Sequence, residues 1–200
     1  MPQVAPKPDK LTGEPRPPRA PVNTTWKSEG KTDPDRAQFP PAPEGEGPVL
    51  EWYQDSPTEM VKAGMFLSVL VIIFGCIVDG GFGWMATWWL WLFVIWPPIL
   101  FYFLGRSEGI SAGAEWFATS RKSYVRLYEL SSVKLEHSAA GQSMTLELRD
   151  IHGGFAGVSL RQVQRKRALW DLVYNGIAHS VLNGRATANE LALDRLGLRS

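Results

Sequence analysis

Val61 to Val78 reads VKAGMFLSVLVIIFGCIV and Trp84 to Leu104 reads WMATWWLWLFVIWPPILFYFL, with only Asp79-Gly80-Gly81-Phe82-Gly83 between them. The first run carries one charge, Lys62 at its outer edge, and the second carries none. At about 1.5 Å per helical residue the runs reach roughly 27 and 31 Å, about the hydrocarbon thickness of a bilayer. Both are expected to span. The linking residues are too few for a domain and too polar in backbone to lie in lipid, so the chain must cross, turn and come back. The expected element is a transmembrane α-helical hairpin over 61–104, with spans 61–78 and 84–104.

The flanks set an orientation. The turn has no Lys or Arg, whereas Lys62 precedes the first run and Arg106, Arg121 and Lys122 follow the second. The positive-inside bias then places a multi-pass protein with both termini cytoplasmic and the turn outside. Asp79, at the end of a span, reads as a hydrated turn residue rather than an intramembrane carboxylate. Trp84, Trp88 and Trp91 recur at steps of 4 and 3, share a helical face, and read as interfacial anchors. Pro97-Pro98 removes two backbone donors and is expected to kink the second span. Cys76 is the sole cysteine, so the chain has no disulfide framework. It reads as a small lipid- or helix-facing residue.

The polar remainder divides by charge. Residues 1–62 hold 8 Lys/Arg against 10 Asp/Glu and residues 105–200 hold 13 against 9, so a formal +1 conceals −2 and +4. Contact with an anionic surface is expected of the C-terminal part. Thirteen of the 15 prolines precede the first apolar run, and apolar residues there are too sparse for any period. Residues 1–56 therefore read as a disordered Pro-rich arm. Pro15 to Pro21 and Pro40 to Pro43 have polyproline II chemistry suited to an aromatic groove, although a solvated spacer needs no partner. Leu50-Glu51-Trp52-Tyr53 is expected to rest on the membrane surface or on the C-terminal domain. The apolar run begins too far into the chain for a signal peptide, so the first span is expected to be retained.

After Gly105 the pattern becomes alternation. Ile110, Ala112 and Ala114 alternate before Trp116-Phe117, as do Val125 and Leu127, Val133 and Leu135, then Met144, Leu146 and Leu148, and Phe155, Val158 and Leu160 close the series. Short strands follow, with hairpin chemistry at Ala139-Ala140-Gly141 and His152-Gly153-Gly154. The expected sheet is an antiparallel meander with one buried face. Leu169, Trp170, Val173, Tyr174, Ile177, Ala178 and Val181 then form one helical stripe, which Asn183-Gly184 ends. Thr187-Ala188-Asn189-Glu190 looks like a capping box opening a last short helix through Leu196.

A membrane hairpin followed by short strands and one capping amphipathic helix resembles bacterial, actinobacterial-type two-span membrane proteins with a C-terminal pleckstrin-homology-like (PH-like) domain. Gly109 to Ala112 resembles the first strand after the membrane, Tyr128 to Val133 the turn and strand further on, and Ala168 to Leu182 the capping helix. The resemblance is one of architecture and covers about 61–184. It implies an α+β PH-like domain at 109–184, antiparallel strands capped by a C-terminal amphipathic helix, with a short helix or tail at 185–200. Ala/Gly/Arg-rich usage with a Pro-rich arm also resembles small proteins of high-GC actinobacteria, some carried on conjugative elements.

His137, His152 and His179 stand in a strand end, a turn and a helix, and no HExxH, CxxC, GxxxxGK[ST] or GxSxG run is present. No enzyme, metal or cofactor is expected. The positive candidate is Arg161, Arg165, Lys166 and Arg167, cations at a helix start that oppose its dipole. Facing a bilayer, each is worth about 1 kcal/mol against anionic headgroups. The plainer alternative is a solvated helix start with an Arg167–Asp171 pair. A net +4 without an aromatic-basic strip does not make a nucleic-acid surface. The expected function is a non-enzymatic, membrane-anchored interaction or scaffolding module at the cytoplasmic face of the bacterial membrane. Its partners are the lipid bilayer, anionic lipid headgroups and other membrane proteins. The alternative is a small accessory subunit of a larger membrane machine, such as a conjugative transfer or secretion channel.

Overall fold

The computed structural model describes residues 6–22, 39–54, 58–105, 109–137 and 143–199. The chain divides into two units, Asp55–Ser107 and the combination of Met1–Gln54 with Glu108–Ser200.

The first unit is helical. α1 covers Thr58–Val78, and among the described residues its stretch Met60–Val78 is the one helix long and apolar enough to cross a membrane. The second run differs from expectation. Gly83–Ala86 and Trp88–Leu90 form 3-10 turns, and the α-helix α2 covers only Trp91–Leu104, 14 residues or about 21 Å. The break falls at Thr87, which is extended (φ −89°, ψ 98°). A helix begun at Trp84 would need Thr87, Trp88 and Trp89 in its opening turns, all poor helix formers. Trp84 is instead held by Asp79, whose carboxylate accepts the Trp84 N–H at 2.8 Å. Asp79 thus closes the turn.

α1 and α2 pack antiparallel, with Gly64 beside Pro97 and Pro98, Ser68 beside Val94, and Gly75 against the Trp84 indole. A Cβ on Gly64 would sit 2.8 Å from the Pro98 Cα, and one on Gly75 would sit 2.9 Å from the Trp84 ring. Glycine lets the elements approach this closely. α2 runs unbroken through Pro97-Pro98. Pro98 has no N–H for the Val94 carbonyl, and the Ser68 hydroxyl donates to that oxygen at 2.6 Å. The outward surface is apolar: Phe74, Ile77 and Trp88 are 68%, 73% and 78% exposed.

The second unit is a mixed α/β fold with two antiparallel-rich sheets. One holds β1 (Glu51–Tyr53), β2 (Ile110–Ala112), β3 (Trp116–Ser120) and β4 (Ser123–Arg126) in that order. The other is ordered β7 (Phe155–Ser159), β6 (Met144–Asp150), β5 (Leu130–His137) and β8 (Thr187–Ala188), the last pairing parallel to β5. The alternation marked strands in the right places, divided between two sheets rather than joined in one meander. Gly153 turns β6 into β7 with φ +86°; Ala139-Ala140-Gly141 lies outside the described residues.

α3 (Leu160–Arg165) and α4 (Arg167–Leu182) follow, and α4 closes the core with Leu169, Trp170, Val173 and Ile177, all fully buried. Gly184, at φ +70°, ends it as expected. Thr187 is not the cap of α5 (Glu190–Arg195); it lies in β8, and Asn189 caps by accepting the Ala192 N–H at 3.1 Å. Asn189 also exchanges hydrogen bonds with the N–H and C=O of Leu135, pinning α5 to β5.

The expected disordered arm over 1–56 is corrected for its described residues. Pro6 to Val22 and Phe39 to Gln54 pack on the sheet unit: β1 comes from them, Ala20 is buried, and Trp116 Nε1 and Ser111 Oγ donate to the carbonyls of Gly47 and Pro40. Prolines fix φ in advance, so ordering such a segment costs little entropy, and it is held through its backbone rather than by a periodic apolar face.

Candidate functional site

The basic cluster does not open a single helix as its sequence suggests: Lys166 is extended (φ −103°, ψ 106°) and separates α3 from α4. Arg165 therefore lies in the last turn of α3, where the helix dipole favours a cation, and only Arg167 opens α4. The cluster is turned toward the N-terminal segment. Lys166 Nζ pairs with Glu51 Oε2 at 2.8 Å and lies over the Trp52 ring, and Arg165 donates to the Tyr53 hydroxyl at 3.2 Å. Arg167 donates to the Ala20 carbonyl at 2.9 Å and pairs with Asp171 at 3.6 Å. Arg161, an exposed residue of α3, also has an interaction within the chain. Arg165, Lys166 and Arg167 are latches first.

The segment they hold reads Glu14-Pro15-Arg16-Pro17-Pro18-Arg19-Ala20-Pro21-Val22. Asp171 Oδ1 accepts the Ala20 N–H at 2.8 Å, and Trp170 Nε1 donates to the Pro21 carbonyl at 2.8 Å. Burial pushes the Asp171 carboxyl up, opposed by the Ala20 N–H and by the charges of Arg167 and Arg19. Upstream, Arg16 pairs with Glu51 Oε1 at 3.1 Å. Glu51 thus joins a cation of the segment to one of α3–α4. Trp170, Asp171 and Glu51 did not stand out in sequence; the Pro-rich stretch with polyproline II chemistry was the legible half of the site.

A row of charges runs elsewhere on the same unit. The Glu46 carboxylate, nearly buried, pairs with Lys10 at 3.3 Å and Arg126 at 2.8 Å. His152 Nε2 meets Glu129 Oε2 at 2.7 Å, and this bond, with the nearby Arg126, holds the Glu129 carboxyl below its usual range. Asp150 accepts the N–H groups of His152, Gly154 and Arg126 and so fixes the β6–β7 turn. Beside it opens a cavity of about 430 Å³ lined by Lys122, Arg126, His152 and Phe155 among others. Among the described residues no three His, Cys, Asp or Glu side chains gather as metal ligands would.

Of the three tryptophans read as one face, Trp84 and Trp91 stay together and Trp88 leaves. Trp84 is buried on α1, its indole donating to Cys76 Sγ at 3.4 Å, and it stacks on Trp91 with ring centroids 6.0 Å apart. Trp88 points outward, because the break at Thr87 removes the 4-and-3 spacing from a single helix. Comparison with protein-family models, with curated proteins and with solved structures finds no match for this chain.

Proposed function

We propose that this protein is a membrane-anchored interaction module. α1 and the segment returning through α2 pass the bilayer as a two-pass hairpin, and a PH-like sheet unit with both termini lies on the cytoplasmic side of a bacterial inner membrane. The observation that carries the reading is the pairing of β1 with β2, in which Tyr53 lies opposite Ile110. The chain leaves the sheet for α1 after Tyr53 and comes back from α2 just before Ile110, so if α1 crosses, the return must cross too. α2 supplies about 21 Å, and the 3-10 turns before it, at about 2 Å per residue, lengthen the path. Exposed apolar surface of this extent calls for a membrane or a partner.

A PH-like reading of the sheet unit is supported by the order of its parts: one sheet of β1 to β4, then β5 to β7, then α4 across the core. Basic flanks around the hairpin support the cytoplasmic side, and the C-terminal excess of positive charge suits anionic headgroups. The reading does not need catalysis.

Excision of the hairpin tests it. Joining residue 54, carried as Gln54→Asn, directly to Gly109 leaves a two-residue Asn-Gly loop, the favoured closure for paired antiparallel strands. The full chain is expected to stay with the membrane pellet through an alkaline carbonate wash, and the excised chain to be soluble, keeping the strand signal and only the helix signal of α3, α4 and α5. Carbonate release of the full chain would sink the proposal.

A further inference from the structure

The geometry points to a peptide-recognition groove on the sheet unit, between β1 and the start of α4, with residues 16–21 as its resident ligand. The ligand it takes in trans is an extended, basic, proline-containing segment of a partner protein. This rests on the reading of that unit as an interaction module and names the class of partner.

Three side chains on consecutive or neighbouring positions, Arg167, Trp170 and Asp171, address the backbone of two consecutive residues: the N–H and C=O of Ala20 and the C=O of Pro21. Main-chain hydrogen bonds are one way domains hold extended peptides, and here they come with an opposed charge pattern and a pocket for one small side chain. Specificity comes from three further features. Ala20 is 2% exposed, so the site admits a small side chain there. Pro17, Pro18 and Pro21 stiffen the ligand before it binds, which lowers its ordering cost. Glu51 and Asp171 set negative charge against Arg16 and Arg19. The ligand chemistry is thus a basic residue, a stiff proline-rich step, then a small residue followed by proline. A segment of that kind from another protein competes with the resident one for the same donors and acceptor.

The test uses the full-length protein in mild detergent and a fluorescein-labelled peptide of residues 14–22. Ala20→Glu disables the resident segment without touching Arg167, Trp170 or Asp171. The peptide is expected to bind this variant saturably, and wild type about tenfold more weakly, because a competent state only about one-tenth populated costs that factor in apparent affinity. Binding is expected to vanish when Arg167→Ala is added, and for a peptide that itself carries glutamate at position 20. In wild type, excess unlabelled peptide is expected to speed hydrogen exchange at the Ala20 amide, a readout that does not depend on the variant folding. No binding to a folded Ala20→Glu protein, binding indifferent to Arg167→Ala, or an Ala20 amide unmoved by peptide would each overturn the assignment. The carbonate result is unaffected by any of these, so failure here and failure of the membrane reading are separate.

Discussion

At the scale of single residues, two side chains make contacts whose loss can be sized. Ser68 donates to the Val94 carbonyl that Pro98 leaves without an amide partner. Ser68→Ala orphans that oxygen inside the helix pair, and it should cost the pair about 1 kcal/mol, the scale of hydrogen bonds between membrane helices. Unfolding in mixed micelles reads this directly, and an unchanged midpoint would count against the contact. Glu129 offers a pH-dependent case. His152 and then Arg126 hold its carboxyl below the ordinary 4.5, so the folded state favours the charged form. The stabilisation is complete above that value and is lost as pH falls through the lower folded value. Glu129→Gln should melt below wild type at neutral pH and converge with it in acid. The groups are solvent-exposed, which keeps the effect small; a difference that grows in acid would contradict the sign.

At the scale of elements, α4 shows how closely the core is drawn. A Cβ on Gly176 would lie 2.4 Å from the Leu127 Cβ and 3.1 Å from its carbonyl oxygen. Gly176→Ala gains about 1 kcal/mol of helix propensity but forces α4 off a buried backbone, an overpacking cost of about 1 to 3 kcal/mol. The steric cost wins, and denaturant melts of the variant should show a net loss of stability. The stripe of α4 and the strands β2 to β7 are legible through their apolar spacing, and α1 through an unbroken apolar run long enough to span a bilayer. Other elements are not. Hydropathy alone starts the second helix at Trp84, because it does not see the poor propensity of Thr87-Trp88-Trp89 or the hold of Asp79 on the Trp84 amide. The charge pattern makes α3 and α4 look like one basic helix start, because the extended Lys166 leaves no trace in it. Packing of the segment before Val22 was invisible, since it uses main-chain groups and fixed φ angles instead of a hydrophobic face. Of the site, the four cations and the proline-rich stretch are visible in the sequence, while the joining of Lys166 and Arg167 to that stretch through Glu51, Trp170 and Asp171 needs three distant parts of the chain brought together.

At the scale of the whole molecule, the sheet unit is interrupted between two strands that pair with each other, and the interruption is the apolar helical pair. A single crossing is incompatible with that order: β1 and β2 cannot lie on opposite sides of a bilayer and share hydrogen bonds. The proposed anchor and the proposed peptide groove then make one proposed device, a recognition surface held at a membrane. The most direct test places single cysteines, in a Cys76→Ala background, at Gly81 in the helical turn and at Lys134 on exposed β5, and treats intact cells with a membrane-impermeant maleimide. Labelling of residue 81 with protection of residue 134, reversed only when the cells are opened, is the predicted result. Labelling of both positions, or protection of both, in intact cells would contradict a hairpin that crosses and returns.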